Sequence, residues 1–407
     1  MPSRRLLFLS HRLPFPPHNG AAIRTFNILR ILARAYAIDM LCFDRRDSAT
    51  AGTSQDERIA GLEGVATTKV FPIPQEWSTT RLLIDHGADL LAGRPYTHSM
   101  HRDAGFMRAL HAALALQRYD LVHVDSLDLV GYLGELPIKR TALTHHNIES
   151  DLLRQRGDGD SVKLRGAYIR RQAAMVEAAE RKWAPQVGLN VMVSAADQRR
   201  LEDLAGPCPA VVVPNGVDTA FFSPAPATGT DLVFVGGLSY RPNLEGLAWY
   251  CAEVEPHLSR AGCAVRLTAI GRASATQQQA ASPGGTIQFT GYVPDIRPYL
   301  RNAGCFIAPL LTGGGTRLKI LDAWAMGVPV ISTSVACDGL DAIDNENILV
   351  RDNPGDFADA IREVLGSQPL RERLRAAGRA TAERVYDWEV VGRVLLDSYQ
   401  RLEVANT

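Results

Sequence analysis

The run TGGGTRLK (residues 312–319) combines three glycines, a threonine and two cations. Glycines let backbone N–H groups come close to a ligand, and the cations favour an anion. The preceding CFIAPL reads as a strand and the following TRLKILDAWAMG as a helix. The turn therefore falls at the carboxyl edge of a sheet, with the free N–H groups of a helix start beside it. Such a start contributes about 0.3–1 kcal/mol toward an anion at an exposed position, so a diphosphate also needs Arg317 and Lys319. Gly314, Gly315 and Thr316 would act through the backbone. The spacing is neither that of a Walker loop nor G-x-G-x-x-G, which argues against an ATPase and against a nicotinamide-linked dehydrogenase.

Asp322 lies within two turns of that helix start, where a carboxylate can accept hydrogen bonds from ribose hydroxyls. Its neighbours Leu321, Ala323, Trp324 and Ala325 indicate a mostly buried helix, and a buried carboxylate needs a partner. GGLSYRPN (residues 236–243) places Arg241 just after another strand. In the first half, PHNG (residues 17–20) puts Gly20 at a helix start, behind a loop stiffened by Pro14, Pro16 and Pro17. LTHHNIESD (residues 143–151) brings His145, His146, Asn147 and Glu149 to the end of a strand. No third ligand stands near the histidine pair in sequence, so no metal site is expected. Asp158-Gly159-Asp160 falls in a charged connection between helices, and THSMH (residues 97–101) lacks an acid or cysteine framework; neither reads as a site.

The elements that must position these groups are an alternation of short apolar runs and helix-like segments. LLFL, IDMLCF, DLVHV, TALTHH and LNVMVS mark the first half; LVFVG, VRLTAIG, TIQFTG, CFIAPL, PVIST and NILV mark the second. This is the βαβ rhythm of parallel sheets. A polar loop interrupts it between Asp44 and Gln55, and a long charged helix is expected from Ser161 to Trp183. VVVPNGVD (residues 211–218) breaks the alternation and is the expected domain boundary. Two α/β units in succession imply a cleft between them. At 407 residues the chain is too long for one ordinary core. Lys+Arg and Asp+Glu both number 44, for a formal net charge of +0, which removes the broad electrostatic case for a nucleic-acid partner. The six cysteines form no C-x-x-C pair, and Cys42 and Cys305 lie in apolar runs, which fits a reducing compartment. No apolar stretch reaches the length of a membrane span, and LLFL is too short for a signal-peptide core, so a cytoplasmic location is expected.

The motifs PNGVD, FVGGLSYRPN, TGYVPDIRPYL, APLLTGGGTRLKILDAWAMGVPVIST and the final YDW, in this order, resemble glycosyltransferase family 4. More loosely, SHRLPFPPHNGAAIRTFNILRILA and LTHHNIES extend the resemblance through the first half. It implies a GT-B architecture, two Rossmann-like doubly wound parallel-sheet domains facing across a cleft. Residues 1–213 would form the acceptor side, with 387–407 crossing back onto it, and residues 214–386 the nucleotide-sugar side. The implied activity is retaining, metal-independent transfer of a sugar from a nucleoside-diphosphate sugar to a glycan or lipid-linked acceptor, in cell-envelope or exopolysaccharide synthesis. No cofactor beyond the co-substrate is implied. Gly20, Arg241, Gly314, Gly315, Thr316, Arg317, Lys319 and Asp322 would bind the donor, and His146, Arg317 and Lys319 would serve the chemistry. The family usually carries two acids eight positions apart on the donor helix; Asp322 matches the second, and Gly314 stands at the first. A nucleotide-sugar 2-epimerase of the same fold and a non-catalytic sugar-nucleotide-binding protein are the alternatives. Relatives that build lipid-linked glycans work at the inner membrane face, and Arg4, Arg5, Arg165, Arg170 and Arg171 offer cations for a peripheral contact there.

Overall fold

The apolar runs become buried strands, and every ladder between them is parallel. A computed structural model describes residues 4–45, 52–224, 229–313 and 318–406. The chain divides into two compact units, one of Met1–Pro214 with Gly392–Thr407 and one of Asn215–Val391. The last helix, Trp388–Val404, begins in the second unit and ends in the first.

In the first unit the strands are β1 (Arg4–Ser10), β2 (Tyr36–Asp44), β3 (Thr67–Pro72), β4 (Leu121–Val124), β5 (Thr141–His145), β6 (Leu189–Met192) and β7 (Ala210–Val212). Their order is β3-β2-β1-β4-β5-β6-β7, so the winding reverses between β1 and β4. In the second unit β8 (Asp231–Val235), β9 (Leu267–Ile270), β10 (Ile287–Gly291), β11 (Ala303–Ala308), β12 (Val330–Ser332) and β13 (Leu349–Val350) take the order β10-β9-β8-β11-β12-β13. The reversal there lies between β8 and β11. Open parallel sheets bind ligands at such reversals, outside the carboxyl ends of the strands.

Two strands lie outside the runs read as strands from sequence. β3 alternates exposed and half-buried residues at the sheet edge, and β7 is a three-residue edge strand that runs into the start of the segment read as the domain break. Both are too short or too polar to stand out from flanking loops. The long charged helix runs Lys163–Trp183, slightly inside its expected span. Part of the polar loop after Asp44, residues 46–51, lies outside the described residues; after it Ser54 and Glu57 form a capping box on the helix Gln55–Ala60.

Two helices pack directly behind these reversals. Gly20–Leu32 starts behind Asn19, whose side chain accepts a hydrogen bond from the Ala22 amide. Its buried face includes Arg24 and Thr25 along with Ile28, Leu29 and Leu32, so it carries a charge into the interior. Arg241–Trp249 packs against the turn that follows β11, and Gly246 permits it: a Cβ there would stand 2.4 Å from the Pro309 carbonyl oxygen. Gly246→Ala gains about 1 kcal/mol of helix propensity, but the rigid backbone contact costs about 1–3 kcal/mol or more. The variant is expected to melt below the wild type, by about 2–4 °C per kcal/mol lost in a unit of this size. A melting temperature at or above wild type would contradict this close approach.

Candidate functional site

In the first unit, β1, β4 and β5 deliver His11, Asp125 and His146 to their shared carboxyl edge. His11 follows β1, Asp125 follows β4, and His146 follows β5. The Asp125 carboxylate is buried and sits among three imidazoles: His146 Nε2 is 3.8 Å and His11 Nδ1 3.9 Å from Oδ2, and His123 Nε2 is 3.5 Å from Oδ1. Thr25 donates its hydroxyl to Oδ2 at 2.6 Å, and the Asp125 amide donates to the Leu9 carbonyl at 2.9 Å. Burial alone would raise the Asp125 pKa, but the imidazoles of His123 and His146 beside it outweigh burial and hold the carboxyl well below the usual range.

Burial disfavours the charged forms of His11 and His123. The His11 pKa lies well below its ordinary value, through burial and then the Arg12 charge, with Asp125 opposing. Arg12 Nε donates to His11 Nε2 at 2.9 Å, which leaves the neutral ring's proton on Nδ1, facing Asp125. His123 is lowered by burial too; its Nδ1 pairs with the Tyr399 hydroxyl of the last helix, and its ring stacks on Phe8. Arg24 is held down to about 10 by burial, against the favourable charge of Asp125. Among the described residues, His11 Nδ1, His146 Nε2 and Asp125 Oδ1 are buried and have no hydrogen-bond partner. A substrate hydroxyl can satisfy such atoms, because a hydroxyl both donates and accepts.

His11, Asp125 and His146 also bring ligand atoms within 4.8 Å of one another, a spacing that a metal ion can use. The third ligand absent near the histidine pair in sequence thus arrives from β1 and β4. A tetrahedral ion would draw the ligand atoms to about 3.3 Å apart. Asp125, however, is already engaged by Thr25 and faces the buried Arg24 charge, so a dication would compete with both for the one carboxylate of the trio. Beside this cluster lies a cavity of about 60 Å³ lined in part by Tyr96, Asp128, Glu149 and Leu153, which holds a few waters at most. Burial, then the Asp128 charge, pushes Glu149 up to about 7.

In the second unit the corresponding edge is formed by β8 and β11. Gly236 follows β8 with φ of 156°, and a Cβ there would lie 2.5 Å from Asn243 Nδ2 and 2.9 Å from Lys319 Nζ. The glycine thereby admits the Lys319 ammonium, which donates to Asn243 Oδ1 at 2.7 Å and lies 4.4 Å from the Phe234 ring centroid. Asn243 is buried and donates in turn to the Gly237 carbonyl at 2.8 Å. Arg241 lies on the surface, its side chain 76% exposed and paired to Glu245 at 2.5 Å; Glu245 also accepts from Thr312, two residues before Gly314. On the helix Leu318–Ala325, Asp322 stands three residues after Lys319, hence on the same face. Among the described residues no hydrogen bond or ion pair reaches its half-buried carboxylate, and burial pushes its pKa up to about 7.

Gly314, Gly315, Thr316 and Arg317 lie outside the described residues. Of the other residues singled out from sequence, Lys319, Asp322 and Arg241 stand in the second unit, while Gly20 and His146 stand in the first. Gly20 opens its helix and is exposed. Asp158 is exposed and Asp160 half-buried, beside Arg170 and Arg165 at 3.6 and 2.6 Å. His101, within the discounted THSMH, is buried with its ring edge-on to His11 and Phe43. The sequence reading missed His11, Asp125, Asn243 and Glu245. For the first two a signal was present, since SH ends the first strand and DS ends the fourth.

Two family models cover most of the chain: "Glycosyltransferase Family 4" over residues 18–221 and "Glycosyl transferases group 1" over residues 229–367. The chain is similar to a phosphatidyl-myo-inositol mannosyltransferase of Mycobacterium leprae, 27% identical over 239 residues. That match covers 56% of this chain and 63% of the relative, so under two thirds of the relative's length is represented. In structure it is similar to sucrose-phosphate synthase of Thermosynechococcus elongatus (TM-score 0.69, 16% identity, 99% of this chain and 100% of that one). It is also similar to Anabaena HepE in complex with UDP (TM-score 0.64, 13% identity, 98% and 100%). These likenesses give the fold as GT-B, with two Rossmann-like parallel-sheet units.

Asp125→Asn is expected to lower the unfolding free energy by about 3–5 kcal/mol at neutral pH, because it removes the anion from a buried, electrostatically coupled cluster. The Asp125 pKa is depressed in the fold, so its stabilisation is present above the ordinary carboxylate pKa and fades as pH falls. The deficit should therefore shrink below about pH 4. Urea denaturation across pH reads both; a variant as stable as wild type at neutral pH would contradict the cluster's electrostatics.

Proposed function

We propose a function on the premise that the chain belongs to glycosyltransferase family 4: it transfers a sugar from a nucleoside-diphosphate sugar to a glycan or lipid-linked acceptor of the cell envelope, with retention of anomeric configuration and without a metal ion. The observation that carries this reading is the pairing of Lys319 and Asp322 on one helix face at the carboxyl edge of β8 and β11. An ammonium and, three residues on, a half-buried carboxylate with no partner among the described residues suit a diphosphate and the hydroxyls of its ribose. The UDP held by the Anabaena protein supports the nucleotide, and the mycobacterial mannosyltransferase supports a lipid-type acceptor.

In the proposed reaction the bond between the anomeric carbon and the diphosphate oxygen breaks as the acceptor hydroxyl oxygen bonds to the same face of that carbon. The acceptor proton passes to the departing diphosphate. Negative charge grows on the leaving oxygens, and Arg317, Lys319 and the backbone amides of Gly314, Gly315 and Thr316 stabilise it in place of a metal. Arg241, on the rim, contributes by neutralising the incoming donor. In the first unit, His146 beside Asp125 serves the sugar and acceptor through its ring nitrogen Nε2.

Release of nucleoside diphosphate from UDP-, GDP- and ADP-sugars, assayed with a chelator present, tests the proposal. Turnover with one of them is expected, and Arg317→Ala should lower kcat by about 10²–10³. Normal turnover of that variant at saturating donor would contradict its role. Asp322→Asn should raise the donor KM and yet stabilise the fold. Because the Asp322 pKa is raised toward 7, keeping it ionised costs stability as pH rises, so the variant's gain in melting temperature should be larger at pH 8 than at pH 5. Unchanged KM with no pH-dependent gain would contradict the ribose assignment, whereas isomerisation of the donor without transfer would indicate an epimerase.

A further inference from the structure

The last helix, Trp388–Val404, buries a stripe on the first unit made of Val391, Leu395, Tyr399 and Leu402, spaced as one helical face. Tyr399 is 0% exposed and brings a hydroxyl into this otherwise aliphatic stripe, where an apolar side chain would need no partner. The hydroxyl finds its partner in His123 of β4, also 0% exposed, through the ring nitrogen Nδ1.

The direction of that hydrogen bond follows from the other side of the ring. His123 Nε2 faces Asp125 Oδ1 at 3.5 Å, and among the described residues no hydrogen bond reaches this oxygen. An ionised carboxylate accepts and cannot donate, so the neutral ring places its proton on Nε2. Nδ1 is then bare, and Tyr399 donates to it. Phe8 stacks on the ring with centroids 4.2 Å apart, and Thr144 Oγ1 stands 3.4 Å from Nε2. His123 is thus held on its face and at both nitrogens, and its full burial keeps it away from any substrate. The group it acts on is Asp125.

Asp125 is anchored at its other oxygen, Oδ2, by the Thr25 hydroxyl at 2.6 Å, and His146 Nε2 lies 3.8 Å from that oxygen. Rotation of a carboxylate moves both oxygens together, so the group facing Oδ1 also sets what His146 meets at Oδ2. We propose that Tyr399 is a positioning residue: its hydroxyl fixes the plane and the proton of the His123 ring, which orients the Asp125 carboxylate and, through it, the His146 ring. The inference rests on the reading that His146 serves the sugar and acceptor. Tyr399 and His123 themselves touch no substrate.

Proton–nitrogen correlation spectra of the histidine rings test the geometry without any substrate. His123, assigned by its disappearance in His123→Gln, should show a protonated Nε2 and a bare Nδ1. Tyr399→Phe should move the His123 Nδ1 signal and shift the His146 ring signals, with the protein still folded. Glutamine presents an amide N–H where Nε2–H stood, without need of the phenol. Adding Tyr399→Phe to His123→Gln should therefore leave the His146 signals in place. Turnover is followed with whichever of the UDP-, GDP- and ADP-sugars the wild type consumes. Tyr399→Phe should lower kcat about tenfold at unchanged donor KM, but less than about twofold when added to His123→Gln. A merely structural contact would shift the melting temperature and leave kcat at saturating donor unchanged. A proton on His123 Nδ1 in the wild type overturns the inference, as do unmoved His146 signals in Tyr399→Phe or an equal loss of kcat in both backgrounds. A wild type that consumes no sugar nucleotide would sink the transferase reading instead, and the ring spectra would still decide whether Tyr399 orients the cluster.

Discussion

Parallel strands joined by crossovers bring every strand-to-helix turn of a sheet to one edge, and the chemistry of this chain depends on that constraint. Ser10 and Asp125 are 115 residues apart in sequence, yet β1 and β4 are neighbours and their ends meet at 3.4 Å. Lys319 reaches Asn243 across 76 residues in the same way. At each reversal of strand order the crossovers leave in opposite directions, so the edge between β1 and β4, and between β8 and β11, is open to a ligand.

The two edges handle a buried carboxylate in opposite ways. Asp125 is surrounded by two hydroxyls, three imidazoles and a guanidinium, so it stays ionised and fixes the rings around it. Asp322 has burial and no such company among the described residues, so its pKa rises toward 7. The first pattern is that of a group whose work is to hold others in place. The second leaves a carboxylate whose interaction energy is available to a ligand, at a cost in stability that function can justify.

Much of this was legible in the sequence, and the failures have physical causes. Runs such as LVFVG and CFIAPL are buried on both faces of their sheet, which makes them continuous apolar stretches that read clearly as β8 and β11. β3 and β7, at a sheet edge, bury too little to leave that signature. TGGGTRLK stood out because glycine, threonine and cations are adjacent along the chain. His11, Asp125 and Asn243 did not, because each acquires meaning only beside a residue from another strand. The helix Thr79–Leu91 shows a further limit: periodicity marks an amphipathic helix, but the pattern cannot say that the acids are the side turned inward.

The proposal that the second unit holds a nucleoside diphosphate rests on family membership, the parallel sheets and the helix bearing Lys319 and Asp322. Titration calorimetry of the full chain with UDP, GDP and ADP, in buffer containing a chelator, addresses that directly. The account predicts saturable one-to-one binding of one of the three, undiminished by the chelator. Absence of heat with all three at millimolar concentration, from protein that melts cooperatively, would contradict it.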